Sequence, residues 1–333
     1  MPKEHEAKFD ELIESGLREG SCVLFIGPEL IKYNGLDYYL AFYNSLPEID
    51  ETDIDKTKVK YNPDEKIWSF SSGAIKTRFY IKLSQFLKQH TEINNPLFHK
   101  LASLPFPLIV SLIPDDTLNT AFSQYSNFNF TFRSSLEIDI PEPSIDNMVI
   151  YNIYGNIKNR KYVVSHFDYL SFILEYSENK GFPINIKQNL KKANYLVFIG
   201  FEFDKWYNIF LLYILNMIKQ ETDKLATHEL TAGELVQNLL DKSSLNLFFI
   251  EQNNEQFLDD LYNKAKQKNL LRGIVPQKEY LEKVIKTNQE AMEKTNERMQ
   301  FVEPLEKRKL ELDLEIFERD NNELMVKLKN LGS

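Results

Sequence analysis

Short, continuous apolar runs alternate along the chain with amphipathic helical patterns. Apolar residues at helical spacing, followed by Gly20 as a stop signal, predict a first helix over residues 5–18. A parallel strand that is covered by helices on both faces is apolar throughout. Such runs lie at 22–26, 108–112, 148–153, 195–199 and 247–250, and helical patterns separate them at 97–104, 167–178, 205–219 and 255–268. The alternation predicts an α/β fold over residues 1–270, with a doubly wound, mostly parallel Rossmann-like sheet.

Two ranges interrupt this alternation. Residues 30–95, between the first and second apolar runs, are polar, aromatic and largely aperiodic, and we interpret them as an inserted helical lobe with a solvated loop. Residues 123–147 form a connection that contains Ser, Asn and Pro and allows no assignment.

Residues 271–333 carry a different pattern, which predicts a helical tail. Apolar and asparagine positions advance by alternating steps of four and three up to residue 302 and again from residue 310. Pro304 separates the two segments, so the tail reads as two helices, each with a narrow coiled-coil-like stripe that includes Asn288 or Asn321. The stripes either fold back within the chain, for example as an internal hairpin, or bind a partner. We favour the partner, with a docking surface formed by Leu310, Leu314, Phe317, Leu324, Leu328 and Leu331.

Composition limits the classes of function. Hydrophobic residues make up 43% and aromatic residues 13% of the 333 residues, which is enough for a sizeable core. The net charge of −9 argues against binding to nucleic acid or anionic lipid, because both need a positive field. A single cysteine, Cys22, and five dispersed histidines predict neither a disulfide framework nor a metal site. A charged N-terminus and the lack of an apolar run of ~18 residues make the cytoplasm the default location, without membrane contact.

The turn after the first apolar run carries Gly27, Pro28 and Glu29. In dinucleotide-binding proteins, glycines at this turn let the backbone approach a pyrophosphate, and amide groups point at it. Pro28 has no amide hydrogen to donate, and the Glu29 carboxylate would repel phosphate unless a cation intervened. The turn therefore predicts a strand end that is built without an anion.

Five segments carry a resemblance to a known family. They are GSCVLFIGPEL (20–30), PLFHKLASLPFPLIVSLIPDDTLNTAF (96–122), IYNIYGNIKNRKYVVSHFDYLSFI (150–173), YLVFIGFEFDKWYNIFLLYIL (195–215) and LNLFFIEQNNEQFLDDLYNKA (245–265). In this order they resemble sirtuin-like domains, which are NAD-consuming modules common in bacterial antiphage defence. The resemblance spans about residues 5–268. It implies a dinucleotide cleft at Gly27, Pro28, Glu29, Gly155, Gly200 and Glu202.

The departures from the family lie where its chemistry would occur. The resemblance implies an asparagine that positions water or ribose and a histidine that acts as a base, and the matching residues here are Ile113 and Tyr154. Isoleucine cannot form a hydrogen bond, and a phenol with an ordinary pKa near ~10 is a poor proton acceptor at neutral pH. The family's Gly-Ala-Gly is replaced at 27–29, and a serine is replaced by Glu202. The pattern implies a retained scaffold without catalytic residues and without NAD as a cofactor.

We therefore expect a catalytically degenerate, sirtuin-like scaffold or regulatory subunit of a bacterial antiphage defence complex. It would bind a protein partner or form a homo-oligomer through its C-terminal helices. The alternative is an active NAD hydrolase, an abortive-infection effector that uses catalytic groups from a partner or relocated ones. The relocated base would be His166, with Asn152 or Asn156 and the Asp115–Asp116 pair at the same rim. A third interpretation is a vestigial cleft for another ligand, which would be cationic or neutral because of Glu29 and Glu202.

Overall fold

A computed structural model describes the chain outside residues 1–2, 34, 91–94, 114–115, 127–128, 136, 138, 158–160, 178–180, 221, 228–244, 301 and 332–333. The chain divides into two compact units. The first unit comprises Met1–Phe122 and Phe128–Arg272, and the second comprises Ser123–Asn127 and Gly273–Ser333. The second unit therefore contains the helical tail together with a short segment from the middle of the sequence.

The described part of the chain forms strands and helices in alternation. The strands are β1 (Cys22–Ile26), β2 (Lys32–Tyr33), β3 (Leu36–Asp37), β4 (Val59–Asn62), β5 (Ile67–Phe70), β6 (Leu108–Ser111), β7 (Tyr125–Ser126), β8 (Asn129–Ser134), β9 (Asn147–Asn152), β10 (Gly155–Asn156), β11 (Lys161–Tyr162), β12 (Tyr195–Ile199), β13 (Asp223–Thr227), β14 (Leu247–Ile250) and β15 (Val275–Pro276). The helices are α1 (Lys3–Glu11), α2 (Tyr38–Ser45), α3 (Gly73–His90), α4 (Pro96–Ser103), α5 (Thr117–Phe122), α6 (His166–Ser177), α7 (Ile184–Lys192), α8 (Trp206–Ile218), α9 (Asn254–Gln267), α10 (Gln277–Met299) and α11 (Pro304–Leu331). The first helix continues as a π-helical stretch over Leu12–Leu17.

A seven-stranded parallel sheet forms the centre of the first unit. Its strand order is β14-β13-β12-β1-β6-β9-β8, and each neighbouring pair runs parallel. All residues of β1 and β12 are buried, as expected for central strands with helices on both faces. The predicted doubly wound, Rossmann-like α/β fold is confirmed.

The strand order has a reversal point in the middle of the sheet. Without the edge strand β8, the strands follow the order 3-2-1-4-5-6 that is typical of dinucleotide-binding folds. The reversal lies between β1 and β12, which pair in register from Cys22 with Tyr195 to Ile26 with Ile199. In open α/β sheets, ligands bind outside the carboxyl ends of the strands at this point. The turns that follow Ile26 and Ile199 therefore define the place to look for a site.

The range between β1 and β6 is an inserted lobe, as predicted, although it also contains two β-hairpins that the sequence pattern does not show. The hairpins pair β2 with β3 and β4 with β5, and α2 and α3 complete the lobe. Its core is aromatic: the ring of the fully buried Trp68 contacts those of Tyr39, Phe42 and Phe79. The first helix of the lobe, α2, is capped at its N-terminus by Asp37, whose carboxylate accepts from the amide of Tyr39 at 2.6 Å.

The second unit is an antiparallel helical hairpin with a small β-ladder. β7 pairs with β15, and α10 packs against α11. The Asn288 side chain donates to Asn321 Oδ1 at 3.0 Å, so the two predicted stripes meet each other. Leu310 is buried, and Leu314, Phe317, Leu324 and Leu328 are half-buried along the same side of α11; the side chain of Leu331 lies outside the described part. The stripe packs within the hairpin, as in the alternative we considered, and the docking of a partner on these residues stays a prediction.

Within the described ranges, every helix is too short or too polar to span a bilayer.

Candidate functional site

The candidate site is the crevice at the carboxyl ends of β1 and β12, where the strand order reverses. The turn after β1 carries Gly27, Pro28 and Glu29, and the turn after β12 carries Gly200 and Glu202. These are five of the six residues for which the sequence predicted a vestigial cleft; the sixth, Gly155, lies in the ladder of β10 and β11. The structure brings them together.

The two turns close directly onto each other through their backbones. The Gly27 amide donates to Ile199 O at 2.8 Å, and the Glu29 amide donates to Gly200 O at 3.2 Å. A Cβ atom on Gly27 would lie 2.0 Å from Gly200 O, so this position accepts only glycine. Gly200 has a φ of +76°, and a Cβ there would approach the Leu30 amide nitrogen to 2.6 Å. The glycines thus serve contact between the turns, rather than approach of the backbone to a ligand.

A lysine from the inserted lobe sits among the carboxylates of the crevice. Lys66 ends the loop between β4 and β5 with a φ of +55°, a left-handed conformation that is uncommon for residues other than glycine. Its Nζ contacts Glu29 Oε1, and it lies 2.8 Å from Glu202 Oε1 and 3.3 Å from Asp37 Oδ2. We call these four residues the Lys66 cluster. A cation beside Glu29, on which the sequence analysis made phosphate binding conditional, is therefore present, and it is paired with the carboxylates of the chain itself.

The Lys66 cluster is largely buried, and burial controls its protonation. The Lys66 side chain is 15% exposed and that of Glu29 is 16% exposed. Burial raises the pKa of Glu29 to about 7; the nearby Lys66 opposes this effect, and Asp37 and Glu202 add to it. Burial lowers the pKa of Lys66, but Glu29, Glu202 and Asp37 outweigh it and hold that pKa above its ordinary value. Glu202 also pairs with Lys205, whose Nζ lies 3.5 Å from Glu202 Oε2, so two ammonium groups face the three carboxylates, and Lys66 is the one that Glu29 and Asp37 share.

The residues in this crevice do not fit a dinucleotide pyrophosphate. Pro28 has no amide hydrogen, and the Glu29 and Leu30 amides donate to Gly200 O and Gly27 O. A phosphate brought to this turn would meet carboxylates at Glu29 and Glu202, and it would compete with them for Lys66. The geometry therefore favours an internal ionic contact over anion binding.

The two substituted family positions are both in the core. Ile113 is 2% exposed, and its carbonyl accepts from Asn152 Nδ2 at 3.2 Å. Tyr154 is 4% exposed; its hydroxyl has no hydrogen-bond partner among the described residues, and its ring packs edge-on against Phe172 with centroids 4.9 Å apart. Burial raises the pKa of Tyr154 well above its ordinary value. This phenol is consequently even less able to accept a proton than the sequence suggests.

The residues of the catalytic alternative are distributed over several local contacts. Asn156 donates to Asp116 Oδ1, and Asn152 binds the Ile113 carbonyl. His166 is an exposed residue at the start of α6, where its ring stacks on Trp206 with centroids 6.5 Å apart. Asp115 lies outside the described residues. Gly155 has a φ of +89° and pairs with Tyr162 in the short ladder of β10 and β11, so it serves a backbone turn.

An open cavity of about 400 Å³ lies beside Tyr154, and residues of α3 in the lobe and of α6 line it. Lys76 and Asp168 line it, with Nζ and Oδ2 2.7 Å apart, and Asp168 also accepts from the Ser165 amide at 2.9 Å. The Tyr80 hydroxyl, one turn after Lys76 on α3, donates to Tyr162 O at 2.7 Å. These polar groups already have partners within the chain.

Sequence reasoning found both turns of the crevice but missed Lys66 and Asp37. Both lie in the lobe, whose aperiodic sequence gives no local indication of a site. The available signal was indirect, since Glu29 and Glu202 at facing strand ends require a cation.

The chain matches no protein-family model and no curated protein. Its fold and site define a doubly wound α/β protein whose switch-point crevice is filled by its own side chains.

Proposed function

We propose that the protein is a catalytically degenerate, sirtuin-like α/β protein that acts through protein contacts, as a scaffold or regulatory subunit of a bacterial antiphage defence complex. The sirtuin likeness rests on the five ordered segments of the sequence, and the dinucleotide-type strand order is consistent with it. The setting in antiphage defence follows from that likeness.

One observation carries the loss of catalysis: the Lys66 cluster fills the crevice where a dinucleotide would bind. Removing the lysine from this cluster would leave three carboxylates without their shared cation, which typically costs several kcal/mol in a buried setting. Binding of NAD would also require the two turns to separate, because Glu29 and Gly200 are joined by a backbone hydrogen bond. The loss of the shared Lys66 cation and the separation of the two turns both oppose the binding of a dinucleotide.

The position of the family's base supports the same proposal. Tyr154 packs against the rings of Tyr169 and Phe172. Because burial raises its pKa, the hydroxyl stays protonated at neutral pH and cannot act as a general base. The candidate replacement, His166, lies on the exposed side of α6 against Trp206. Asn156, the candidate that would orient the substrate, is engaged by Asp116.

The test is release of nicotinamide from NAD, measured on the purified chain and on the complex recovered from cells, whose mass is determined on the same material. We expect no release from either preparation and a mass greater than that of one chain. Release that disappears in a His166→Ala variant would instead establish the relocated active site. Release that persists in this variant but requires the complex would show that a partner supplies the catalytic groups.

A further inference from the structure

Two neighbouring helices of the first unit expose apolar stripes to solvent. On α6, Phe167, Leu170 and Leu174 recur at helical spacing, and on α8, Phe210, Tyr213 and Met217 do the same. These six side chains are between 41 and 77% exposed. A surface helix normally carries polar residues on its outer face, so this arrangement needs an explanation.

The two stripes belong to one surface. α6 and α8 pack against each other, and the rings of Tyr169 and Tyr207 stack with centroids 4.2 Å apart. Trp206 contacts the His166 ring on α6 and the Phe210 ring on α8, and so connects the two stripes. We call the six exposed side chains and Trp206 the α6/α8 face.

The size of this face is that of a protein interface. With roughly 200 Å² for a fully exposed large side chain, the six exposed residues present roughly 700 Å² of largely apolar surface. The largest apolar patch on a typical monomer is only ~300–600 Å². A stable interface buries ~800 Å² of the surface of each partner, so the α6/α8 face could supply most of the area that one partner contributes.

The charge pattern indicates which partner fits. The whole of α8, WYNIFLLYILNMI, contains no charged residue, and Phe167, Leu170 and Leu174 on α6 are uncharged, whereas Glu175 beside Leu174 is exposed. Two copies of a chain with a net charge of −9 repel each other, and this repulsion is smallest where the surfaces that meet carry few charges. Interfaces between identical subunits are also the more apolar class. A strongly charged docking segment of a different protein would find little complementary charge here, since Glu175 is the one exposed charge beside the stripe of α6.

We propose that the α6/α8 face binds the same face of a second copy of this chain, forming a two-fold symmetric dimer. In such a dimer each stripe is buried by its symmetry mate, and Phe210 and Tyr213 supply the aromatic anchors that dominate interface energetics. The inference does not depend on whether the crevice is catalytic, and its failure would leave the proposed function untouched.

Sedimentation equilibrium of the full chain tests the proposal. We expect the wild type to have the mass of two chains, and Phe210→Glu/Met217→Glu to weaken the dimer on the order of 100-fold. The control Ile49→Glu/Ile81→Glu changes two exposed apolar residues outside the face and should leave the dimer intact. If the α8 variant fails to fold by circular dichroism, Phe167→Glu/Leu174→Glu on α6 takes its place. A monomeric wild type, or a dimer unaffected by both face variants, would overturn the proposal.

Cysteine crosslinking provides an independent measurement. The chain's one native cysteine, Cys22, is fully buried, so an introduced surface thiol reacts without background. Tyr213→Cys should form a covalent dimer with a short bismaleimide, whereas Ile49→Cys should remain a single chain. Equal crosslinking of the two variants would contradict the assigned face.

Discussion

Lys66 combines an unfavourable backbone conformation with a central ionic role. Left-handed φ angles cost most residues on the order of 1 kcal/mol, and a glycine would avoid this cost. The lysine instead brings its ammonium to Glu29, Glu202 and Asp37. The ion pairs of the side chain therefore explain why a lysine, and not a glycine, occupies this left-handed position.

Replacement of Lys66 tests this role directly. We expect Lys66→Met to reduce the free energy of unfolding by about 3 kcal/mol at pH 8, since it removes the cation of the buried Glu29 and Asp37 carboxylates, while Glu202 keeps Lys205. The loss should be smaller at pH 5, where Glu29 can take up a proton. Chemical denaturation at both pH values provides the measurement. Lys60→Met, at an exposed position of the same hairpin, is the control, and an equal effect of the two substitutions would refute the role of Lys66.

The raised pKa of Glu29 leads to a second prediction, which concerns how the stability of the chain depends on pH. Its pKa is about 7 in the folded chain against an ordinary value of 4.5, so between these values the folded state holds a proton that the unfolded state has lost. The contribution of Glu29 to stability therefore falls as the pH rises from about 4.5 to about 7. Glu29→Gln should remove this loss, with a gain over the wild type on the order of 3 kcal/mol at pH 8 relative to pH 4.5. Glu51→Gln, at an exposed position, should show no such gain in parallel denaturation series, and an unchanged pH profile for Glu29→Gln would contradict the assignment.

Tyr154 provides a third test at this scale, because its buried hydroxyl lacks a partner among the described residues. Tyr154→Phe should leave the free energy of unfolding within about 1 kcal/mol of the wild type or raise it. Tyr162→Phe is the matched variant: the Tyr162 hydroxyl donates to Leu112 O, and its loss should cost about 1 to 2 kcal/mol. A large loss for Tyr154→Phe in denaturant titrations would show that its hydroxyl has a role our account does not contain.

At the level of elements, the hairpin of α10 and α11 is stabilised by a seam that includes a polar pair. Asn321 is 6% exposed, accepts from Asn288 at 3.0 Å and donates to Met292 Sδ at 3.8 Å. A buried amide pair fixes register at a cost in stability relative to apolar residues. The pair thus determines which turns of the two helices face each other.

Single and double substitutions separate the two effects. Asn288→Ala should destabilise the hairpin by about 1 to 2 kcal/mol, because it leaves Asn321 Oδ1 without its donor. Asn288→Leu/Asn321→Leu should recover this loss or exceed the wild type. Helicity of the full chain followed in urea measures both, with the exposed Asn322→Ala as control. A double variant less stable than Asn288→Ala would show that the pair is not merely a register device.

Four of the five predicted strands, β12, β1, β6 and β9, are neighbours in the middle of the sheet, and the fifth, β14, is an edge strand. Runs such as 22–26 and 195–199 are buried on both faces, so every residue is apolar and the signal is strong. β13 begins with two charged residues, Asp223 and Lys224, which interrupt the apolar pattern. Lys224 is nevertheless buried, because its ammonium donates to the carbonyl groups of Thr222 and Leu245, and a sequence pattern does not reveal these contacts. The edge strand β8 is mostly half-buried and lacks a continuous apolar run. Both strands were missed for these reasons.

The site was predictable only in part, for a related reason. Gly27 and Gly200 mark the strand ends, and these positions follow from the sheet pattern alone. Lys66 reaches them from a hairpin in an aperiodic lobe, and its side chain meets Glu202 across 136 positions of sequence. A contact of this kind is set by tertiary structure, and no local pattern encodes it.

For the whole molecule, the strand order of a dinucleotide-binding protein is retained while its binding crevice is occupied internally. A dinucleotide that bound the folded state alone would stabilise it by ~2.7 kcal/mol at a hundred times its dissociation constant. In our account the first unit is stable without a bound dinucleotide. The central claim is therefore that folding of this chain is independent of NAD.

The midpoint of thermal unfolding, recorded for the full chain at increasing NAD concentrations up to the millimolar range, tests this claim most directly. We predict a midpoint that stays constant across the series. A midpoint that rises with NAD concentration and approaches saturation would show that the crevice opens to the dinucleotide, and would contradict our account.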